Sequence, residues 1–418
     1  DLGLYFKPLK NGNIVGNAVS KNEYEVIFQD TKYSYLPEDS NQIDFQSYCN
    51  PLVVLHISNE LFPHILREKK EFKEKGISWL GITQGQADTQ ECSIEIPAFF
   101  IHSNWYRDER FLLTKYFDGI ELTHITGKIF NLKIKAPSVF EAFNLLNLVS
   151  LFAHITNEYG LFTFITDDFA QKYGRILTNI NQVPYFVFYL FIKRAVKSEK
   201  QFQNIKPLFE DYLQKNGIQA DLTWYDTHSD RVQFITQKLE LDIPVLDIGC
   251  GEFIYYKKMM NRKFQSRYIA IDEEERFRAF GENIAYRYKA DNLEFYTSLD
   301  EINETEEVNI LLTEVIEHNP LEEAKQLIKK ALQYNLNKLF ITTPNSDFNK
   351  YYSENLEKRH DDHDFELSGQ EFNELIEDCI LDMENPHHFE VEYHGIGDTL
   401  NGIQPTQAAV ITKKEVKK

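Results

Sequence analysis

Cysteine is scarce in this chain: four in 418 residues, at Cys49, Cys92, Cys250 and Cys379. No two share the spacing of a zinc site or a redox pair, which excludes a disulfide framework and a structural zinc. A reducing, cytoplasmic setting is expected. Long apolar runs are missing too. The longest, Pro184–Val196, is interrupted by Lys193 and Arg194 and falls short of the roughly 20 residues that span a bilayer. No membrane partner is expected, and no secretory signal is visible at the start. Internal repeats and Gly/Ser- or Pro-rich linkers are also lacking. Positive charge is the last shortage. Residues 1–220 hold 23 basic and 25 acidic side chains, but the remainder holds 22 and 40, so nearly all of the net charge of −20 sits in the second half. A field of that sign repels phosphate and excludes non-specific binding of nucleic acid by bulk charge. Any RNA contact must come from a local groove, a metal or the first half.

What is present is ample apolar material: 42% hydrophobic residues, with 32 Phe and 23 Tyr. That composition folds, and the length calls for about two domains. The polar stretch near Lys215–Ala220 is the expected boundary, giving domains 1–218 and 219–418. The second alternates strand and helix. Ile243–Gly249, Arg267–Asp272, Asn292–Ser298, Val308–Val315 and Lys338–Pro344 read as short buried strands, Leu321–Tyr334 has helical spacing, and Phe389–Gly397 with Ala408–Lys414 reads as a closing hairpin pair. Five βα units followed by two strands predict an α/β class I (Rossmann-like) methyltransferase domain with a mainly parallel seven-stranded sheet. The first half is predicted to be α+β. Short strands are expected over residues 1–50 and at Ser93–Ile101, and helices at Glu60–Lys75, Val139–Ile155, Pro184–Lys197 and Asn204–Gln214.

Two strings carry chemistry. Asp247-Ile248-Gly249-Cys250-Gly251 ends one strand and opens a helix, and glycines there let the backbone approach a ligand that a Cβ would hold off. A dinucleotide fingerprint would need another glycine where Phe253 stands. The Asp-x-Gly-x-Gly form instead resembles the first motif of S-adenosylmethionine methyltransferases. Asp272, at the end of the next strand, can accept both ribose hydroxyls; Ser298 and Leu299 follow the third strand where adenine is held, and Thr313 ends the fourth. After that fourth strand comes Glu314-Val315-Ile316-Glu317-His318. Positions i, i+3 and i+4 share one face of a helical turn, so Glu314, Glu317 and His318 can converge on a divalent cation: Mg²⁺, Mn²⁺, Co²⁺ or Fe²⁺. A histidine of Arg359–Glu366, either His360 or His363, can complete the set. A surface charge cluster and a polar loop remain the bland alternatives for the two segments taken singly.

Together these strings resemble the small-RNA 3′-terminal ribose 2′-O-methyltransferases of plant microRNA and bacterial RNA-repair systems. The similarity covers about residues 222–415 and rests on Asp247–Glu252, Glu314–His318, Thr342–Asn345, Arg359–Glu366 with Glu371-Phe372, and Pro405–Gln407. It implies metal ligands at Glu314, Glu317, His318 and His363, which form the catalytic group, and substrate contacts at Pro344, Asn345, Arg359 and His360. It also implies metal-dependent methyl transfer from S-adenosylmethionine to the 2′-hydroxyl of a terminal nucleotide with free 2′,3′-hydroxyls, protecting the RNA end. RNA, not DNA, is the expected substrate, and an end-healing kinase–ligase the expected partner. Two departures stand out: Leu367-Ser368-Gly369 replaces the usual Trp-Thr-Arg, and Phe253 replaces a frequent Gly. A metal-dependent O-methyltransferase of a small vicinal diol and a non-catalytic methyltransferase-like scaffold are the alternatives. The first half can supply stacking aromatics for RNA or serve as a packing or dimerising domain.

Overall fold

A strand that is apolar at every position needs cover on both faces, and the second half of the chain supplies it. The computed structural model describes residues 3–10, 12–20, 22–30, 49–61, 91–101, 106–107, 110–115, 117–155, 167–352 and 358–414. The chain divides into two units, Asp1–Tyr212 and Leu213–Lys418.

In the first unit, β1 (Leu4–Pro8), β2 (Gly12–Ala18) and β3 (Tyr24–Asp30) form an antiparallel sheet, as the weak alternation of this region predicts. A second sheet has the order β4-β8-β7, from β4 (Cys92–Phe100), β7 (Ile120–Thr126) and β8 (Ile129–Ala136); β5 (Tyr106–Arg107) and β6 (Arg110–Phe111) pair as a short hairpin. The helices are α1 (Pro51–Leu61), α2 (Val139–Ile155), α3 (Asp167–Asn179), α4 (Tyr185–Ala195) and α5 (Glu199–Lys215). Of the helix expected over Glu60–Lys75, residues 62–75 lie outside the described residues. Helix α5 starts earlier than its apolar spacing suggests because Ser198 caps it: its Oγ accepts from the backbone N–H of Gln201 at 3.2 Å. Helix α2 packs against α1, β4 and β8.

The second unit has a seven-stranded sheet in the order β12-β11-β10-β13-β14-β17-β15. Its members are β10 (Val245–Ile248), β11 (Tyr268–Ile271), β12 (Leu293–Tyr296), β13 (Val308–Thr313), β14 (Leu336–Pro344), β15 (Phe389–Ile396) and β17 (Thr406–Lys413). The first five run parallel; β17 lies antiparallel between β14 and β15. This is the class I methyltransferase sheet that the alternation predicts. Two short strands, β9 (Ala220–Asp221) and β16 (Thr399–Leu400), pair beside it.

Alternate residues of each strand face opposite layers. Leu246, Ile248, Ile310, Leu312 and Ile341 pack with α9 (Leu321–Gln333) and α10 (Gly369–Leu381) through Ile328, Leu332, Phe372 and Ile376. Val245, Ala270, Leu311, Phe340 and Val410 meet α6 (Thr227–Lys238), α7 (Ile254–Asn261) and α8 (Arg276–Tyr288) through Val232, Ile235, Tyr256, Met259 and Ile284. Each such burial stabilises the fold by roughly 1.5–3 kcal/mol. Chain direction reverses outward from β10, whose neighbours are β11 on one side and β13 on the other. A sheet of this kind opens its ligand crevice at that switch point, beyond the carboxyl ends of the strands. No helix among the described residues is long and apolar enough to cross a membrane.

Candidate active site and metal centre

The glycine turn expected to receive the cofactor sits at the switch point. Asp247 is fully buried, and its Oδ2 accepts from the Tyr268 hydroxyl at 2.5 Å. Its Oδ1 is buried with no hydrogen-bond partner, an arrangement that costs free energy unless a ligand supplies the donor. Gly249 follows at φ +75°, where a Cβ would come within 2.5 Å of Val315 Cγ2. That position needs glycine both for its left-handed backbone and for the close approach of the fourth strand's exit. The N–H of Gly251 donates to Asp272 Oδ2 at 3.0 Å, and the N–H of Glu274 donates to Asp272 Oδ1 at 3.0 Å. Asp272 is thereby fixed at the mouth of β11 with lone pairs left over.

Ser298 caps the short turn after β12, its Oγ accepting from the N–H of Asp300 at 3.2 Å, while Glu301 accepts from the N–H of Ser298 at 3.0 Å. Leu299 leans on the core beneath. Thr313 is buried at the end of β13, beside the Tyr255 hydroxyl. Every cofactor residue expected from the sequence therefore lies at one edge of the sheet. Phe253, the departure from glycine, is fully buried at φ +58° among Phe280 and Phe295. It acts as core on the outer side of the turn.

The second cluster lies one strand over. Ligand atoms of Glu317, His318 and His363 all fall within 4.8 Å of one another. Glu317 is fully buried; its Oε2 accepts from Thr343 Oγ1 at 3.0 Å, and its Oε1 is buried without a partner. Burial, and then the neighbouring Glu314 carboxylate, push Glu317 up to about 8. His363 Nδ1 lies 2.6 Å from Glu366 Oε1. Burial alone would raise Glu366, but hydrogen bonds from Asn349, the Arg359 N–H and His363 outweigh it and hold the carboxyl below its usual range. Ionised Glu366 has no proton to give, so Nδ1–H donates, and Nε2 is the nitrogen that a metal would use. His318 Nδ1 faces the Asp362 carbonyl at 3.2 Å; a carbonyl only accepts, so again Nε2 is left. Two imidazole nitrogens and an orphaned carboxylate oxygen fit a divalent cation.

Glu314 is not among the three converging groups. Its Oε2 lies 2.9 Å from Arg231 Nη1 and its Oε1 accepts from Thr342 Oγ1 at 3.1 Å. Its φ of +53° is unusual for a residue with a side chain, and strain of this kind gathers at functional sites. Asn345 is tied in as well: its Oδ1 accepts from the N–H of Asp347 at 3.0 Å, and its N–H donates to the carbonyl of Pro405 at 2.9 Å. Pro344, the last residue of β14, offers its carbonyl to Gln407 Nε2 at 3.1 Å. Arg359 clamps the histidine loop onto this exit, donating to the Asn345 carbonyl and to Asn349 Oδ1, each at 2.7 Å. His360 is exposed, its ring 5.1 Å from that of His363.

Sequence reasoning missed Arg231, Thr343, Glu366 and Gln407 as parts of the site. Glu366 had a signal, standing three residues after His363. Arg231 had none, since it reaches Glu314 from helix α6, far away in the chain.

Residues 1–214 match the family model described as the Hen1 N-terminal domain. The chain belongs to the Hen1 family. A chain of the solved Pnkp1/Rnl/Hen1 RNA repair complex is 49% identical to it, with a TM-score of 0.86 over 98% of this chain and 94% of that one. A second structure of that complex gives 49% identity and a TM-score of 0.84 over 99% and 94%. A curated relative, the small RNA 2′-O-methyltransferase of Caenorhabditis elegans, is 37% identical over 92 residues, which is 22% of this chain. The match spans a fifth (20%) of that relative's length.

Proposed function

We propose that this Hen1 family chain is an S-adenosylmethionine-dependent methyltransferase acting on the 2′-hydroxyl of the 3′-terminal nucleotide of RNA. In this reading a divalent cation, Mg²⁺ or Mn²⁺, is held by Glu317, His318 and His363. One observation carries the proposal: a buried carboxylate oxygen without a partner at the cofactor turn stands one strand away from a second one inside a three-ligand cluster. The names of the relatives support RNA as substrate and an RNA-repair assembly as setting.

Asp247 Oδ1 would accept from the ammonium of the cofactor, Gly249 and Gly251 admit its amino-acid end, Asp272 takes the ribose hydroxyls, and Ser298, Leu299 and Thr313 border the rest. The cofactor supplies an electrophilic methyl group, and the cation supplies Lewis acidity that acidifies and orients the attacking hydroxyl. Glu366 and the Asp362 carbonyl hold the two ligand imidazoles in their tautomers. Arg231 and Thr342 hold Glu314 outside the three-ligand set. Arg359 and Asn345 would fix the loop beside the terminal nucleotide, and the exposed His360 is a candidate to pass the hydroxyl proton to solvent. Alignment is the other contribution, because oxygen, methyl carbon and sulfur must be collinear. Transfer of labelled methyl groups tests the reading, with a short RNA and a catechol in competition. Label in the RNA supports it; label in the catechol alone transfers the site to small vicinal diols.

Asp247 provides a second check. Burial pushes its carboxyl up to about 7, above the ordinary 3.8. A raised value in the folded state means that this group's contribution to stability is fully present below about pH 4 and lost as pH rises through 7. An ammonium against Oδ1 reverses that shift. Cofactor binding near pH 6 should therefore release close to one proton (~0.9), measured by calorimetry in buffers of different ionisation enthalpy. Binding without proton release would place the ammonium elsewhere.

A further inference from the structure

Several cations of the second unit lie against carboxylates. Arg276 and Arg278 lie 2.6 and 2.5 Å from Glu274 and Glu275; Lys325, Lys329 and Lys330 lie 3.0, 2.6 and 2.6 Å from Glu322, Asp382 and Asp300; Arg267 and Lys338 join Glu304 and Glu240. With acids in such excess, this is what chance and Coulomb attraction both favour. One region gathers six cations that lack such partners. Lys257 and Lys258 within α7, Arg262 and Lys263 just after it, and Arg287 and Lys289 at the end of α8 have no carboxylate within ion-pair distance among the described residues.

The two helices that carry these cations are joined side by side. The Tyr288 hydroxyl lies 3.0 Å from Asn261 Oδ1 and 3.4 Å from the Lys257 carbonyl, joining the two helix ends, and Lys257 Nζ sits 5.3 Å from the Phe280 ring. Within this patch Tyr286 is 84% exposed, and Phe280 and Tyr288 are 41% and 36% exposed. Helix dipoles favour cations at C-terminal turns, which accounts for some of the charge. They do not account for a tyrosine standing almost wholly in water. Unpaired cations around exposed rings are what a single-stranded nucleic acid requires: phosphates meet the charge and bases stack on the aromatics.

We infer that this surface binds the RNA chain upstream of the methylated end. The inference rests on the proposed reaction for its substrate and adds the path that the substrate takes. Both helices begin at the cofactor edge of the sheet, after β10 and β11, and run away from it. The 13 residues of α8 cover about 20 Å at 1.5 Å per residue. A strand with a stacked rise of about 3.4 Å per phosphate crosses that distance in about six nucleotides. The carboxylates at the start of α8 do not bar the way, since Glu274 and Glu275 are neutralised by Arg276 and Arg278. An acidic half thereby gains a local attraction for RNA that its overall charge denies.

The test compares the full chain with a variant carrying Arg262→Glu, Lys263→Glu, Arg287→Glu and Lys289→Glu, using fluorescein-labelled RNAs of 4 and 12 nucleotides in anisotropy titrations over a salt series. The 12-mer should bind the variant at least about tenfold more weakly, and its slope of log K against log salt should fall by about 0.7 for each phosphate that is no longer neutralised. The 4-mer, too short to reach the patch, should bind both proteins alike. Equal 12-mer affinities for the two proteins would overturn the inference, and so would equal losses for both lengths. A variant that loses binding of poly-glutamate but keeps the 12-mer would mark the patch as a site for acidic protein, which also overturns it. Methyl transfer to the 4-mer is a separate arm: its absence in the unaltered chain would sink the proposed reaction and leave the binding result standing.

Discussion

Replacing Glu317 or His363 by alanine should lower methyl transfer by about 10³-fold or more, while adenosylmethionine binds within about threefold of its original affinity. The first figure follows from the several kcal/mol that a bound cation contributes to the transition state, each 1.36 kcal/mol being tenfold in rate. The second follows from the layout. Asp247, Gly251 and Asp272 belong to β10, β11 and their turns, whereas Glu317 and His363 come from the exits of β13 and β14. Glu317 also carries a diagnostic. It is a buried carboxylate beside another, with one oxygen unpartnered, and such a group destabilises a fold unless something pairs with it. Glu317→Ala should therefore leave the melting temperature of the metal-free protein unchanged or higher. A variant that loses melting temperature, cofactor affinity and transfer together would make Glu317 structural. Glu366→Gln should fall between, cutting metal affinity about 10–100-fold by releasing the His363 imidazole from its orienting partner.

An RNA that ends in 3′-deoxyribose should be methylated at least about 10²-fold more slowly than the same RNA with both hydroxyls, although its 2′-hydroxyl is intact. A site built to bind a hydroxyl is left with unpaired polar groups by an analogue that lacks it, and discriminates by large factors. The protein groups gathered here do not fill the coordination shell of a hard divalent cation, which leaves positions for substrate oxygens. Terminal position then follows from chemistry, because only the last ribose offers two adjacent free hydroxyls. Comparable rates for the two ends would mean that the 3′-hydroxyl is not engaged, and the end-specificity would need another source.

The parts of this site that could be read from the sequence are the parts contiguous in it. Val245–Ile248 and Tyr268–Ile271 stand out because parallel strands buried on both faces are apolar without interruption, and the glycines at 249 and 251 because the turn requires a backbone that other residues resist. Glu317 and His318 are visible as one turn, whereas Glu314, expected to converge with them, is drawn aside by Arg231 and Thr342. Pairs that cross between elements are not visible. Arg231 with Glu314, Thr343 with Glu317, and Gln407 with Pro344 each join segments far apart in the chain. The closing strands show the same limit: their patterns mark two strands, but the insertion of β17 between β14 and β15 is decided by sheet packing. In the first half, α3 went unread because its polar face supplies most of its residues, whereas the almost wholly buried α2 was evident.

The central claim is that the three-ligand cluster and the cofactor turn act together on an RNA end. Its most direct test is transfer of labelled methyl groups to paired short RNAs, one ending in a 2′,3′-diol and one in a 3′-phosphate, with Mn²⁺ or Mg²⁺ and then with chelator. The account predicts label on the diol end alone and its loss on chelation. Label on the phosphate-blocked RNA, or transfer that survives the chelator, would contradict it.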